Sequence, residues 1–263
     1  MPTKVNNNGW HHVVRNDGRH RSFKLLLLEQ GSVHDFICGE IQPNKDVPAS
    51  FSTLIEHLIK FHSHNCVKPH KLGLVASVGL RWEIKSSSCT HYVCAKNNTK
   101  ENNRCSHKLH RLAAIDMYYF LQNSSLQENY NKDLQVVQND KISWKIKLSE
   151  NLSTKFIYVH PGKVVSIDMN NAFHLDPNDE LRSIAVWYTD QSNPGCTWFL
   201  FPHYSIAIEC STTTIISWDG RKQHHCSCTC TMKKNRSPVY SILNSCYSNF
   251  KKIRGYQRRN ESL

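Results

Sequence analysis

Phe173-His174-Leu175-Asp176 is followed further along the chain by Trp218-Asp219-Gly220-Arg221 and the pair His224-His225. A His-x-Asp step with one distant imidazole supplies two nitrogen donors and one carboxylate. That is the donor set of a non-haem iron(II) site, in which one face of the metal stays open for oxygen and a co-substrate. The chemistry such residues could do is oxidation.

Donors from two distant stretches need a scaffold that brings them together. Residues two apart share a face of an extended strand, so His174 and Asp176 can project to one side. The third donor must come from a later strand lying opposite. His224 and His225 come after Thr214-Ile215-Ile216-Ser217-Trp218 and the tight turn Asp219-Gly220, which suits that geometry. Adjacent residues of a strand point to opposite faces, so only one of the two imidazoles enters the site. Alternation places His224 with Cys226, Cys228 and Cys230, a residue type usually buried, and His225 with Ser227 and Thr229. That favours His224, and a bulge at the turn would reverse it.

From about Ile142 onward the chain reads as short strands separated by turn residues: Ile142 to Leu148, Phe156 to Val159, Val164 to Asp168, Ile184 to Tyr188, Thr197 to Phe201, Ser205 to Glu209, Thr213 to Trp218, His225 to Thr231 and Val239 to Leu243. Many short strands at regular spacing indicate a sandwich or jelly roll. The expected fold is mainly β, α+β overall, with a double-stranded β-helix core and a helical N-terminal elaboration. The expected division is a flexible arm at 1–22, a mixed α/β elaboration at 23–140, the core at 141–250 and a basic tail at 251–263.

Within the elaboration, Phe23 to Leu28 and Leu80 to Ile84 read as strands. Ala49 to Phe61 reads as a helix capped by Ser50 or Ser52, and Leu109 to Leu121 as a second helix. Residues 86–107 read as an inserted loop or a small metal-bound module, and Gln122 to Asp133 as a polar break.

The formal net charge is +12, which raises the chance of a polyanionic partner, since each cation placed on a phosphate releases counterions. Eleven cysteines, an odd number, without a signal-peptide pattern point to reduced thiols and an intracellular, nuclear or cytoplasmic setting. The Leu25-Leu26-Leu27-Leu28 run is far short of a membrane span, so no membrane anchor is expected.

The order of a His-x-Asp step, a Trp-Tyr strand, a Gly-Cys-Thr-Trp-Phe strand, a Trp-Asp-Gly-Arg turn and a distal His resembles the iron(II)/2-oxoglutarate-dependent dioxygenase superfamily. Within it, Asn170 to Asp176 and Asp219-Gly220-Arg221 through His225-Cys226 look most like the TET/JBP-type base oxygenases and their transposon-associated relatives. The resemblance covers about residues 155 to 245. It implies Fe(II) and 2-oxoglutarate as cofactors and oxidation of a substrate C–H bond, with a methylated nucleic-acid base flipped from its stack as one substrate. It implies His174, Asp176 and a distal His as metal ligands. A Ser or Thr commonly stands two residues after the distal His in that superfamily, so His225-Cys226-Ser227 favours His225, against the alternation argument for His224. It also implies a cation beyond the distal His to pair with the co-substrate's far carboxylate, with Arg236 first and Lys234 second. Trp187, Tyr188, Trp198 and Tyr204 are then available for stacking, although most such residues are core.

Each of these motifs also has a structural explanation. His-Leu-Asp-Pro-Asn-Asp is rich in turn formers, and a cation such as Arg236 is more often solvated than buried in a clamp. Cys89, Cys94, Cys105, His107 and His110 offer zinc donors, but at looser spacing than a finger. The rival reading is therefore a non-catalytic, basic nucleic-acid-binding protein with a structural zinc in 89–110. Cys226, Cys228 and Cys230 are expected to pack the interior. The basic stretch Lys251 to Arg259 would suit a phosphate backbone.

Overall fold

The segments Ser183–Thr189 and Thr213–Trp218 carry apolar residues on both alternating faces, and both faces of the sheet they form are covered. The computed structural model describes residues 4–5, 9–13, 19–29, 32–42, 46–65, 73–82, 89–91, 100–139, 144–148, 156–176, 182–189, 197–210, 213–229 and 238–245. In chain order the elements are β1 (Lys4–Val5), β2 (His11–Val13), β3 (Arg21–Glu29), β4 (Ser32–Gln42), α1 (Phe51–Asn65), β5 (Leu74–Trp82), β6 (Cys89–His91), α2 (Lys100–Leu121), α3 (Gln127–Asn139), β7 (Trp144–Lys147), β8 (Phe156–Val159), β9 (Gly162–Ile167), β10 (Ser183–Thr189), β11 (Thr197–Phe201), β12 (Ile206–Glu209), β13 (Thr213–Trp218), β14 (Cys226–Thr229) and β15 (Val239–Ser245).

A large sheet runs β3-β4-β13-β10-β15-β9-β5-β6 and faces a smaller one, β1-β2-β12-β11-β14. The two form a double-stranded β-helix, and the chain is mainly β with helices packed outside. Between the sheets lie Phe23, Ile37, Trp187, Phe199, Phe201, Ile216 and Trp218. On the other side of the large sheet Val165, Ile184, Val186, Ile215 and Ile242 pack against Leu54 and Leu58 of α1 and Leu109, Ala113 and Met117 of α2. Full burial of each large apolar side chain contributes roughly 1.5–3 kcal/mol, so the two layers together hold the large sheet from both faces.

The N-terminal half does not stand apart from this core. β4 pairs with β13 in antiparallel register, Ile216 opposite Gly39 and Ser217 opposite Cys38, while β5 pairs with β9. A side chain at Gly39 would place its Cβ 2.5 Å from the Ile215 carbonyl oxygen and from the Phe23 ring. Within the segment expected as an arm, His11–Val13 forms a parallel strand beside β12, with Val13 buried.

Two expectations need correction, and one strand was not anticipated. β4 carries no clean alternation and was not read as a strand; its partners β3 and β13 define it. The polar stretch from Gln122 contains α3, because Tyr130, Leu134 and Val137, spaced i, i+4 and i+7, are buried on one face while the rest is polar. The second helix begins at Lys100 rather than Leu109, inside the segment read as a loop or metal module. Ser50 precedes α1, but its hydroxyl donates to the Asp116 carboxylate on α2.

Candidate metal centre

His174 ends a short segment that lies beside β14 without forming a regular strand. Its backbone exchanges two hydrogen bonds with that of His225, each 3.1 Å. Upstream, the Asn171 N–H donates to the Ser227 carbonyl at 3.2 Å, and asparagine side-chain amides supplement this backbone bond. Asn170 donates from Nδ2 to the Thr229 carbonyl at 3.2 Å and accepts the Thr229 N–H at Oδ1. Asn171 accepts the Ser227 N–H at 2.6 Å through Oδ1. The segment is thereby pinned in register, and His174 stands opposite His225.

Asp176 is placed by the turn after β13. Its N–H donates to the Gly220 carbonyl at 2.8 Å. The turn is held by Asp219, whose carbonyl accepts the N–H groups of Lys222 and Gln223 at 3.2 and 3.0 Å and whose Oδ1 accepts the Arg221 N–H at 3.1 Å. Burial pushes the Asp219 carboxyl up, but the hydrogen bonds from Arg221 and the charges of Arg221 and Lys222 outweigh it and hold the group below the usual carboxylate value. At Gly220 a Cβ would lie 3.0 Å from Ser183 Oγ and 3.4 Å from Asp176 Oδ2. A methyl there would press on Ser183 Oγ and, at 3.3 Å, on the Cβ of Asp176.

The side chains converge. Asp176 Oδ2 is 3.3 Å from His225 Nε2, Asp176 Oδ1 is 3.8 Å from His174 Nε2, and the donor atoms of all three residues lie within 4.8 Å of one another. That is near the span of donors around one ion at roughly 2.0–2.2 Å from each. Both imidazoles are oriented from behind: His174 Nδ1 is 2.9 Å from the Ala172 carbonyl and His225 Nδ1 is 2.8 Å from the Gln223 carbonyl. A carbonyl can only accept, so each Nδ1 carries the hydrogen and each Nε2 keeps its lone pair for a ligand. The donor set and its tautomers fit a divalent metal. Among the described residues no second group of three such donors gathers.

The group is closed on one side and open on the other. The His225 side chain is 3% exposed, whereas those of His174 and Asp176 are 36% and 33% exposed. Phe199 and Trp218, with ring centres 5.5 and 5.2 Å from that of His225, form an aromatic wall on the inner side. Phe173 is exposed beside His174.

His224 is elsewhere. Its ring packs at a tilt against that of His203, with centres 4.4 Å apart, so the structure brings together His174, Asp176 and His225 and leaves His224 outside. The alternation argument failed in its premise: Cys226 is buried but Cys228 is exposed, and His225, Ser227 and Thr229 are buried. Cys230 lies outside the described residues, as do Arg236, Lys234, Cys94 and the basic stretch Lys251 to Arg259. Trp187 is core, stacked on Phe199 at 4.7 Å. Tyr188 faces Phe51 on the helix side, Trp198 packs on His12, and Tyr204 packs against the inner core. Cys105, His107 and His110 lie on α2 without converging. His107 is exposed, while His110 is buried with Nε2 3.3 Å from the His160 carbonyl.

Sequence reasoning missed a support that comes from β4. Gln223, whose carbonyl orients His225, donates from its side-chain amide to Asp35 Oδ2 at 2.7 Å. Asp35 in turn accepts from Arg182 at 3.1 Å and from the Phe36 N–H at 2.7 Å, and the Arg182 guanidinium lies 4.0 Å from the centre of the Phe36 ring. Asp35 and Gln223 are 188 residues apart, and nothing local marks them as partners. Asn170 and Asn171 at least stood within the motif.

Fold and site define a double-stranded β-helix protein with a two-imidazole, one-carboxylate donor group facing solvent on one side. No protein-family model and no curated protein matches the sequence. Among solved structures, NgTET1 in complex with 5mC DNA shares the fold, with a TM-score of 0.51 at 12% identity, covering 84% of this chain and 75% of that one. The structure of OsALKBH1 aligns more loosely, with a TM-score of 0.37 at 8% identity over 82% of this chain and 99% of that one. No helix among the described residues is long and apolar enough to cross a membrane.

Proposed function

We propose that the chain is an iron(II)- and 2-oxoglutarate-dependent dioxygenase that oxidises a C–H bond, with a methylated nucleic-acid base as its substrate. The observation that carries this reading is the convergence of His174, Asp176 and His225 with both imidazoles presenting Nε2. The fold shared with NgTET1, solved with 5mC DNA, supports it, as does the resemblance of Asn170 to Asp176 to base oxygenases. The net charge of +12 supports a polyanionic substrate.

With dioxygen as the oxidant and a 2-oxo acid giving up two electrons as it is decarboxylated, a ferrous ion held there would supply the chemistry that oxidises a C–H bond. The protein's own part is positional. The two Nε2 atoms and the Asp176 carboxylate would hold the ion, with the exposed side of the group left to co-substrate and substrate. Phe199 and Trp218 keep water from the inner side of His225. Arg236, with Lys234 as second choice, is the cation assigned to the co-substrate's distal carboxylate.

The test is an anaerobic titration of the full chain with Fe(II) and 2-oxoglutarate, following the weak visible charge-transfer band of the chelate. The band should appear with the wild type and be absent in Asp176→Ala. A wild-type protein that binds Fe(II) but gives no band with 2-oxoglutarate overturns the co-substrate assignment. One that binds no iron overturns the whole reading.

A further inference from the structure

The antiparallel pair β7–β8 has one face inside the protein and one outside. Ile146, Ile157 and Val159 are buried against Ala114 and Ile115 of α2. Alternation then sends Lys145, Lys147, Phe156 and Tyr158 outward. The register sets Lys145 opposite Tyr158 and Lys147 opposite Phe156, and Lys145 Nζ reaches diagonally to 4.6 Å from the centre of the Phe156 ring. Phe156 and Tyr158 remain 46% and 44% exposed. Two aromatic rings kept half in water, each beside a lysine, form a patch whose apolar area is not used in folding.

The neighbouring helix extends the patch in the same sense. Arg111 is exposed and donates to the Lys147 carbonyl at 3.3 Å. Lys108 and Arg104, three and seven residues before it on the same side of α2, are exposed as well. No Asp or Glu occurs in 104–111, 144–147 or 156–159.

We propose that this face is a binding platform for single-stranded nucleic acid. The rings of Phe156 and Tyr158 provide planes on which unpaired bases stack, and Lys145, Lys147 and Arg111 flank them at the positions of the backbone phosphates. A duplex keeps its base faces covered and cannot use the rings, so the patch selects the single strand. The outward positions of the two strands hold no aliphatic residue of the kind that enters a bilayer. The platform lies on the helix-covered side of the large sheet, whereas the metal-ligand candidates border the space between the sheets. It therefore anchors a strand rather than presenting a base for reaction. The inference extends the substrate class proposed above but needs no metal.

The test is binding of the full chain, with a chelator present, to an unstructured labelled oligonucleotide of about sixteen nucleotides. The same sequence as a duplex and vesicles of anionic lipid serve as the alternatives. The wild type should prefer the single strand. F156A/Y158A should weaken that binding by about tenfold or more, and K145Q/K147Q should flatten the dependence on log salt by about 1.4 units. Lys145, Phe156 and Tyr158 are exposed and Lys147 is half-buried, and thermal melting checks that both variants fold. Lys24→Gln, on distant β3, should leave the affinity unchanged. Unaltered affinity in both hairpin variants, an equal loss in Lys24→Gln, a preference for duplex, or binding to vesicles alone would each overturn the proposal. Because the chelator removes metal, failure of the oxygenase reading does not affect this result.

Discussion

Gln223 links Asp35 to His225: its side-chain amide donates to Asp35 Oδ2 at 2.7 Å, and its backbone carbonyl stands 2.8 Å from His225 Nδ1. The ring that offers Nε2 to the site is therefore aimed by a residue clamped to strand β4. Groups that orient metal-binding imidazoles are worth roughly 10–100-fold in affinity. Asp35→Asn removes the charge that holds both Gln223 and Arg182, and the affinity for Co(II) should fall within that range while circular dichroism stays that of the wild type. Leu54→Ala serves as a control for general destabilisation and should leave Co(II) affinity unchanged. A Co(II) affinity in Asp35→Asn equal to the wild type would show that the clamp does not act on His225.

The two adjacent imidazoles should separate cleanly. Single alanine substitutions at His174, Asp176 and His225 each remove a donor and should abolish stoichiometric Co(II) binding in an absorption titration. His224→Ala, which loses the ring contact with His203, should bind as the wild type does. The opposite pattern at 224 and 225 would reassign the third ligand.

Gly220 packs beside Asp176, and a single methyl there tests the fit. Gly220→Ala sets a Cβ 3.3 Å from the Asp176 Cβ and 3.0 Å from Ser183 Oγ, and overpacking of this kind costs roughly 1–3 kcal/mol. Urea unfolding should show that loss, and Co(II) binding should weaken because Asp176 is displaced. Unchanged stability and unchanged binding would mean the turn yields at no cost.

Asp116 on α2 is pushed up to about 7, chiefly by burial, with the Ser50 hydrogen bond opposing the shift. The unfolded chain releases this proton near the ordinary value of 3.8. Between there and about 7 the folded state binds more protons, and stability falls as pH rises. Asp116→Asn should abolish that component, gaining on the order of 1–4 kcal/mol over the wild type at about pH 8 and much less at about pH 4.5. Parallel urea titrations at the two pH values check this, and a gain independent of pH would show that Asp116 is not the group responsible.

Within 144–245 local pattern marked the core strands, but β2, β4 and β5 entered the two sheets through long-range pairing with β12, β13 and β9. Thr213 to Trp218 was legible to the residue as a run buried on both faces, and Thr197 to Phe201 as a short strand with every second residue buried, both bounded by turn formers. The His174-x-Asp176 step was legible as a motif, but its placement rests on the bridge to His225 and the bond from Asp176 to the Gly220 carbonyl rather than on strand alternation. The choice between His224 and His225 was not legible. Only the bridge from His174 to His225 and the turn at Asp219 set which ring faces inward, and both contacts join stretches distant in sequence. Likewise Asp35 has no local signature, because its meaning lies in Gln223 and Arg182. Pairing across sheets is a long-range property, whereas periodicity is a short-range one, and tertiary contacts alone decided how the candidate site is supported.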